Sequence, residues 1–420
     1  MTKFKISGQT RLKGEIQVAG NKNAALPVLA ATVLTDKSCE LTNVPEIVDV
    51  HSMLELLEFL GKKVEKKIDN HYIIKGEINK KELDDELAKK LRASILFLSG
   101  LLARRGEIEM PPPGGCVIGR RKVDTHFQVV EHFAGKVGIL DNGNYYAKID
   151  QLKTGKLFLD EVSVTGTENA LILAAATPGE TVIYNAACEP HVSDLANFLV
   201  KMGAKIEGIG TNRLVVQGKE NLSGTKHKII PDHIEAGTFA VAAACTKGDL
   251  IIHDAIKEDL LSTMTIIEGF NVDYEFIDDK TLHVMPSNLD SLHNKVQVGL
   301  WPNFPTDLMS PVIVLATQAK GATLCHDWMY ESRMYFVDKL NMMGANIIQA
   351  DPHRVIVNGP STLKGQHLSS PDIRAGIAII IAAMIAEDAS TIDRVEIVDR
   401  GYEDIENRLN SLGAEIVREE

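Results

Sequence analysis

Residues 111–122 (PPPGGCVIGRRK) combine a thiol with fixed positive charge. Cys116 lies four residues before the first cation of the run Arg120, Arg121 and Lys122. Cations close to a cysteine stabilise its thiolate, which is the nucleophilic form. The prolines and glycines exclude a helix or a regular strand, so we predict a loop. An incidental surface cysteine is the alternative, but a thiol exposed beside cations favours a reactive group near an anionic ligand.

A second candidate for anion binding is the segment 20–23 (GNKN). It follows a predicted strand at residues 15–18 and opens a predicted helix at residues 24–34. The N-terminus of a helix offers unpaired N–H groups and the positive end of the helix dipole. Lys22 adds a full charge there. A capping turn with a solvated lysine would explain the same residues.

A third candidate is the segment 163–169 (SVTGTEN), which precedes a predicted apolar helix at residues 170–176. The hydroxyl groups of Ser163, Thr165 and Thr167 could each donate a hydrogen bond to a phosphate. An ordinary threonine N-cap is the alternative explanation.

Four segments of the second half contain carboxylates, three of them with an arginine close by: residues 304–307, 331–333, 372–374 and 399–402. An Asp–Arg pair is usually a surface ion pair that contributes little to stability. None of these segments assigns a function by itself.

The elements that must position these residues form an internal repeat. An amphipathic helix followed by a glycine and a strand occurs six times, with 66 to 75 residues between successive glycines. Six units of about 70 residues account for all 420 residues. We predict that each glycine ends its helix in the left-handed conformation. These glycines are residues 61, 135, 203, 269, 344 and 413.

Six units suggest two domains of three units each. The polar, turn-rich segment 218–231 lies between the third and fourth units and is the predicted linker.

Composition restricts the class of protein. The formal net charge is −12, whereas nucleic-acid-binding domains usually carry a basic surplus. The five cysteines are far apart and form no C-x-x-C pair, which favours a reducing compartment without disulfides or a metal site. The longest apolar run, residues 375–386, is too short to cross a bilayer. We therefore expect a cytoplasmic protein without nucleic-acid or membrane partners.

Taken together, several motifs make the chain resemble the UDP-N-acetylglucosamine enolpyruvyl transferases from residue 8 to residue 415. The motifs are NKNAA at 21–25, LRAS at 91–94, PGGCVIG at 113–119, EAGTF at 235–239, FPTD at 304–307 and DRGY at 399–402. The resemblance implies an α/β fold: a two-domain inside-out α/β barrel of six βαβαββ repeats. One domain would comprise residues 22–230 and the other residues 1–21 plus 231–420, with the active site in the cleft between them.

The resemblance also implies the reaction. The enolpyruvyl group of phosphoenolpyruvate would move to the 3′-hydroxyl of UDP-N-acetylglucosamine by addition and elimination, with release of phosphate, as the first committed step of peptidoglycan synthesis. Cys116 would be the general acid at C3 and could carry a covalent phospholactoyl adduct. Asp307 would be the base. No cofactor is implied, since phosphoenolpyruvate is a co-substrate, and no obligate protein partner.

The family pattern assigns two overlapping sets of binding residues. Those implied for phosphoenolpyruvate are Lys22, Asn23, Arg121, Arg374 and Arg400, of which Lys22 and Arg400 are also catalytic. Those implied for UDP-N-acetylglucosamine are Asn23, Arg92, Arg121, Lys122, Val123, Asp124, Thr125, Ser163, Val164, Asp307 and Met329, and Glu189 matches a position that lines the sugar side.

Three departures from the pattern stand out. Glu161 replaces a lysine of some members, His233 stands where arginine is common, and Thr165-Gly166 replaces the more familiar Gly-Ala order. Two alternatives remain: the same chemistry on shikimate phosphate or another nucleotide sugar, and a catalytically silent paralogue that binds UDP-sugars.

Overall fold

The computed structural model describes residues 2–115, 119, 122–292 and 294–420. These residues divide into two compact units. Residues 20–115 and 122–230 form unit A. Residues 2–19 and 119, together with the described part of 231–420, form unit B.

Helices and strands are interspersed along the whole described chain. The α-helices are α1 (Lys22–Ala31), α2 (Val48–Phe59), α3 (Asp85–Ala88), α4 (Phe97–Arg105), α5 (Asp124–His132), α6 (Val164–Ala175), α7 (Pro190–Met202), α8 (His233–Cys245), α9 (Lys257–Glu268), α10 (Met309–Gln318), α11 (Val337–Met342), α12 (Ile373–Ile385) and α13 (Ile405–Ser411). Short 3₁₀ helices cover Thr32–Leu34, Arg92–Leu96, Thr306–Leu308 and Val395–Arg400.

The strands of the described residues are mostly short. The first twelve are β1 (Lys3–Ile6), β2 (Lys13–Gln17), β3 (Cys39–Thr42), β4 (Lys63–Ile68), β5 (His71–Lys75), β6 (Glu107–Met110), β7 (Lys136–Ile139), β8 (Tyr145–Lys148), β9 (Lys156–Phe158), β10 (Gly179–Tyr184), β11 (Lys205–Glu207) and β12 (Arg213–Gly218). The others are β13 (Lys226–Lys228), β14 (Asp249–His253), β15 (Tyr274–Asp278), β16 (Thr281–Val284), β17 (Lys295–Gln297), β18 (Gly321–His326), β19 (Asn346–Asp351), β20 (Arg354–Gly359), β21 (His367–Ser369), β22 (Ser390–Asp393) and β23 (Ile416–Glu419).

Each unit contains three sheets, and all of them except the three-stranded sheet β6-β8-β7 follow one pattern. The strand orders are β13-β3-β5-β4, β6-β8-β7 and β11-β12-β10-β9 in unit A, and β21-β22-β1-β23, β15-β16-β14-β2 and β17-β18-β20-β19 in unit B. Every four-stranded sheet has one parallel pair at an edge and two antiparallel pairs. Parallel neighbours require a crossover, which α6, α10 and α12 supply in three of the sheets.

The core of each unit is built from three enclosed helices, which are α1, α4 and α6 in unit A and α8, α10 and α12 in unit B. All 13 residues of α8 are buried, as are all residues of α12 except its last. A helix that is apolar all round must be covered on every side. The sheets cover these helices with one face, so that Leu214 and Val216 of β12 are buried while Arg213 and Gln217 are exposed. The predicted α/β fold built from six repeating units is confirmed.

The prediction for the six glycines is right at four positions and wrong at two. Residues 61, 203, 344 and 413 adopt φ angles between 100° and 111°. After α5, the helix of the second repeat, Ala134 adopts the left-handed conformation instead of Gly135. Gly135 is required for packing, because a Cβ there would lie 2.5 Å from Val130 Cγ1. After α9, Gly269 has a φ of −65°, and Asn271 turns the chain at 58°.

The predicted linker at 218–231 is largely part of unit A. Residues 226–228 form β13, which pairs in parallel with β3. The pairing was missed because three residues are too few for a recognisable strand pattern.

Candidate active site

In each unit, candidate site residues lie at the N-terminal ends of enclosed helices. Lys22 begins α1, Ser163 caps α6, His233 begins α8, and Arg374 lies in the first turn of α12. Asp307 lies in the 3₁₀ helix that leads into α10. Such ends carry unfilled N–H groups and partial positive charge, which suits anionic ligands. The sequence predicted a site at a helix N-terminus only for α1 and α6, and it placed the start of α6 six residues too late.

In unit B the structure brings Asp307 and Arg374 together. Asp307 Oδ2 accepts hydrogen bonds from Arg374 Nε at 3.0 Å and Nη2 at 2.8 Å. Asp307 Oδ1 accepts one from Arg333 Nη2 at 3.0 Å. Two guanidinium groups therefore hold the carboxylate in a fixed orientation.

Arg333 corrects the expectation of a weak surface ion pair. Its side chain is 1% exposed, and two further carboxylates lie near it, Asp327 at 4.0 Å and Asp372 at 3.9 Å. A buried cation with several carboxylate neighbours is much harder to disrupt than a surface pair. Arg333 supports the site through Asp307, a role that no local motif could reveal.

Asp372 and Asp327 organise the backbone beside this cluster. Asp372 Oδ1 caps α12 by accepting from the N–H groups of Arg374 at 2.9 Å and Ala375 at 3.1 Å. Asp327 Oδ1 accepts from the N–H of Met329 at 2.9 Å. The residue expected on the sugar side, Met329, is thereby held to the same network.

Tyr402 of the motif at 399–402 packs against the guanidinium group of Arg374. The Arg374 guanidinium carbon lies 5.4 Å from the centre of the Tyr402 ring. The Tyr402 hydroxyl is 3.0 Å from Thr238 Oγ1 on α8. Arg400 ends the 3₁₀ helix that packs against α12.

His233 is buried and uncharged at neutral pH. Burial lowers its pKa to about 4, and Arg374 lowers the pKa further while Asp307 opposes the shift. Its ring meets the Trp301 ring edge-on, with 5.7 Å between centroids.

His233 should make unit B sensitive to acid. Its folded-state pKa of about 4 is below the ordinary value of 6.5, so the unfolded chain binds the extra proton. The contribution to stability is complete above pH 6.5 and is lost as the pH falls toward 4, by about 1.4 kcal/mol per pH unit. Urea unfolding at several pH values should show this slope flattened in His233→Gln. The exposed His367 provides the control: if His367→Gln flattens the slope equally, the assignment to His233 is wrong.

In unit A, Lys22 is paired within its own unit. Lys22 Nζ lies 2.8 Å from Asp49 Oδ2 of α2, and their side chains are 11% and 7% exposed. Asn21 caps α1 by accepting from the N–H of Ala24 at 3.0 Å. Asn23 follows in the first turn and is partly exposed. Asp49 was not foreseen, because nothing in its local sequence distinguishes it from other helical acids.

Arg92 also contacts the strip of residues 122–125, which is expected to bind the nucleotide sugar. Arg92 Nη2 donates to the carbonyl of Lys122 at 2.7 Å. Lys122 Nζ lies 3.9 Å from Asp124 Oδ2, both largely exposed. Val123 is the residue before α5, and Thr125 is buried in its first turn. This end of unit A thus holds a guanidinium against the backbone carbonyl of Lys122.

The loop that precedes this strip begins without regular structure at residues 111–115, as predicted. A Cβ at Gly114 would lie 1.6 Å from the carbonyl oxygen of Lys89, so only glycine fits there. Gly115 has a φ of 106°. Cys116 and Arg121 lie outside the described residues, so their expected roles stay predictions.

Helix α6 begins earlier than predicted, at Val164 rather than at residue 170. Ser163 Oγ caps it by accepting from the N–H of Gly166 at 3.1 Å. Thr167, expected to be available to a phosphate, donates to the Ser163 carbonyl at 2.8 Å and accepts from the N–H of Ala187 at 2.9 Å. Thr167 is therefore a structural residue. Ser163 and Val164 lie at the N-terminal end of the helix. Glu161 is exposed just before it.

Glu189 is partly exposed at the N-terminal end of α7, and the buried Glu168 of α6 lies near it. Burial raises the pKa of Glu168 well above its ordinary value, and the neighbouring Glu189 raises it further. Burial also raises the pKa of Glu189.

Among the residues that the structure describes, no group of three or more His, Cys, Asp or Glu side chains could hold a metal ion, and no helix is long and apolar enough to cross a membrane.

Solved structures share this fold. The enolpyruvyl transferase NikO from Streptomyces tendae superposes with a TM-score of 0.90 at 21% identity and covers 99% of this chain and 98% of its own. The EPSP synthase from Acinetobacter baumannii superposes with a TM-score of 0.78 at 18% identity, over 100% of both chains. The protein therefore has the fold of the enolpyruvyl transferases.

Sequence comparison narrows this class. The family EPSP synthase (3-phosphoshikimate 1-carboxyvinyltransferase) matches residues 6–409. Proteins named UDP-N-acetylglucosamine 1-carboxyvinyltransferase are 46% identical in Bradyrhizobium diazoefficiens, over 98% of this chain and 97% of theirs, and 43% identical in Treponema denticola, over 99% of both. The chain belongs to the EPSP synthase family, within the group of UDP-N-acetylglucosamine 1-carboxyvinyltransferases.

Proposed function

We propose that this protein transfers the enolpyruvyl group of phosphoenolpyruvate to the 3′-hydroxyl of UDP-N-acetylglucosamine and releases phosphate. The observation that carries the proposal is the 46% identity, over 98% of the chain, to a relative named for this reaction. The family also includes enzymes named for 3-phosphoshikimate. The solved EPSP synthase is only 18% identical, which favours the nucleotide sugar as acceptor.

The proposed chemistry needs a base, an acid and cations. Asp307 takes the proton from the 3′-hydroxyl while the hydroxyl oxygen forms a bond to C2 of phosphoenolpyruvate. Cys116 donates a proton to C3. Transfer of a proton from C3 to water, with cleavage of the bond between C2 and the phosphate oxygen, then restores the double bond and releases phosphate. Asp307 is oriented by Arg374 and Arg333, which supports a fixed direction of proton transfer.

Cations and helix N-termini would bind the anionic groups of both substrates. Arg374 and Arg400 in unit B, with Lys22 and Arg121, suit the phosphate and carboxylate of phosphoenolpyruvate, for which bidentate arginines are well matched. Asn23, Arg92, residues 122–125, Ser163, Val164 and Met329 form the proposed nucleotide-sugar set. No cofactor takes part.

We place this reaction in the cytoplasm, because both proposed substrates are soluble metabolites there. As the first committed step of peptidoglycan synthesis it would serve cell wall biogenesis, and through it cell shape, the cell cycle and division. No nucleic acid, membrane or obligate protein partner is needed for it.

Phosphate release tests this proposal directly. Wild-type protein mixed with phosphoenolpyruvate should release phosphate only when UDP-N-acetylglucosamine is present, and Cys116→Ala should lose about 10²–10⁴-fold in rate, the usual contribution of a general acid. Cys188→Ala, at a half-buried cysteine outside the loop, should retain the wild-type rate.

Each other outcome has a definite meaning. Release with shikimate 3-phosphate instead of the nucleotide sugar would identify the alternative acceptor. Full activity of Cys116→Ala would leave the reaction standing and remove the thiol as acid. Binding of UDP-N-acetylglucosamine without any phosphate release would favour a non-catalytic binding protein.

A further inference from the structure

One fully buried acid beside the candidate site has no part in the proposed chemistry. Asp327 is 0% exposed and follows directly after β18. Its backbone is fixed on both sides by His353. The Asp327 N–H donates to the His353 carbonyl at 2.9 Å, and His353 Nδ1 donates to the Asp327 carbonyl at 2.7 Å, since a carbonyl oxygen can only accept. The backbone at residue 327 therefore cannot shift without breaking both hydrogen bonds.

One oxygen of the Asp327 carboxylate organises the turn that follows. Oδ1 accepts from the backbone N–H of Met329 at 2.9 Å and of Tyr330 at 3.3 Å. Aspartates often bond in this way to the backbone two residues further on, in an Asx turn. A local turn thus explains the contacts of Oδ1, but it leaves the direction of Oδ2 unexplained.

The other oxygen, Oδ2, contacts two neighbours of the proposed base. It accepts from the hydroxyl of Thr306, the residue directly before Asp307. It also lies 4.0 Å from Nε of Arg333, whose Nη2 donates to Asp307 Oδ1 at 3.0 Å. Two routes therefore lead from one oxygen to Asp307, one along the chain and one through a guanidinium group.

Burial restricts these contacts to their present partners. The Arg333 side chain is 1% exposed, so neither it nor Asp327 can readily exchange its partners for water. A buried carboxylate must be satisfied by donors and cations of the protein, and each polar atom of Asp327 has such a partner. A displacement of Thr306 or of Arg333 would leave Oδ2 without its donor or its counter-charge. The contacts of Oδ2 thus restrict the positions of both side chains.

We propose that Asp327 is a positioning residue that orients the base Asp307 through Thr306 and Arg333. The inference rests on the proposed function. Asp327 acts through these neighbours and not on the substrate, because protein donors occupy both of its oxygens. A general base must lie within hydrogen-bond reach of the proton that it takes, and a displacement of about 1 Å can lower a rate by about 10²-fold.

Phosphate release in the steady state measures this role. In Asp327→Asn the amide oxygen must face the N–H groups of residues 329 and 330, so the NH₂ group faces Arg333, and kcat should fall about 10–100-fold. Thr306→Val removes only the hydroxyl that reaches Oδ2, and kcat should fall about tenfold. In both variants the dissociation constant of UDP-N-acetylglucosamine, measured by calorimetry, should stay at the wild-type value, since the turn at Met329 is kept.

A second background separates positioning from a general loss of structure. If Asp327 acts through Asp307, Asp327→Asn should lower turnover no further in a protein that already carries Asp307→Asn. A structural role would lower turnover by the same factor in both backgrounds. Urea unfolding of each variant gives the fraction that is folded under assay conditions, and kcat is calculated per folded molecule.

The matched control is Asp278 on the exposed β15–β16 hairpin of unit B. It also accepts from a backbone N–H, that of Lys280 at 2.7 Å, and from a threonine hydroxyl, that of Thr281 at 3.1 Å. Asp278→Asn should turn over as the wild type does.

Wild-type kcat in Asp327→Asn or in Thr306→Val would overturn the inference, as would an equal further loss in the Asp307→Asn background. A wild type that turns over both substrates while these variants match it contradicts the inference alone. If the wild type releases no phosphate from phosphoenolpyruvate and UDP-N-acetylglucosamine, the proposed function fails, and the inference fails with it.

Discussion

Asp307→Asn should lower the turnover number by about 10²–10⁴-fold, the usual contribution of a general base. The amide keeps the shape of the side chain but cannot take a proton. Arg374 and Arg333, both of which donate to Asp307, lose a counter-charge as well. Steady-state kinetics should show a fall in kcat that exceeds the change in the dissociation constant of UDP-N-acetylglucosamine.

The control is an aspartate with a similar arginine contact elsewhere in unit B. Asp351 Oδ2 lies 2.6 Å from Arg354 Nη2 on the β19–β20 edge. Asp351→Asn should retain wild-type turnover. A kcat for Asp307→Asn within tenfold of the wild type would show that another group is the base.

Glu235→Ala should lower the free energy of unfolding of unit B by about 3–5 kcal/mol, the usual cost of breaking a buried ion pair. Glu235 is 3% exposed. It accepts from Arg408 Nη1 at 2.5 Å, from Arg408 Nη2 at 3.1 Å and from the Ala19 N–H at 2.7 Å. Its removal leaves a largely buried guanidinium and one backbone donor without their acceptor. Urea unfolding followed by circular dichroism measures the loss.

A double replacement separates the pair from the general cost of substitution. Because Glu235→Gln with Arg408→Met removes both charges, it should cost less than the sum of the two single changes. The exposed pair of Lys5 and Glu419 is the reference, and Glu419→Gln should leave the unfolding midpoint nearly unchanged. Strict additivity of the two single changes at 235 and 408 would contradict a coupled pair.

The motif at 235–239 thus has a structural explanation. Glu235 pairs with Arg408, whose guanidinium carbon lies 5.1 Å from the centre of the Phe239 ring. A Cβ at Gly237 would lie 2.6 Å from Leu308 Cδ1, beside Asp307. The contacts of this motif hold α8 to Arg408 and to the residue that follows Asp307.

Local sequence determined the elements whose signals are local. Amphipathic periodicity located the helix of each repeat, namely α2, α5, α7, α9, α11 and α13. A glycine after the helix predicted a left-handed end correctly at Gly203 and Gly344. The same signal failed at Gly135, since glycine is also selected where a Cβ would collide with Val130. One residue type serves two physical needs, and sequence alone does not separate them.

The candidate site was predictable only in part. Residues 111–122 and the segments before α1 and α6 carry local signals for anion binding. The roles of Asp307, Arg374 and Arg400 came from resemblance to a family, because each belongs to a short charged segment that is common on surfaces.

Only the tertiary structure decided which charges meet. Asp307 and Arg374 are 67 residues apart in the chain, and His126 and Asn169 are 43 apart, yet each pair is in direct contact. Lys22 and Asp49 likewise lie on different helices. These contacts follow from the packing of the enclosed helices, which is driven by the burial of apolar surface over the whole unit. Periodicity records which face of a helix is buried, but not which neighbour that face will meet.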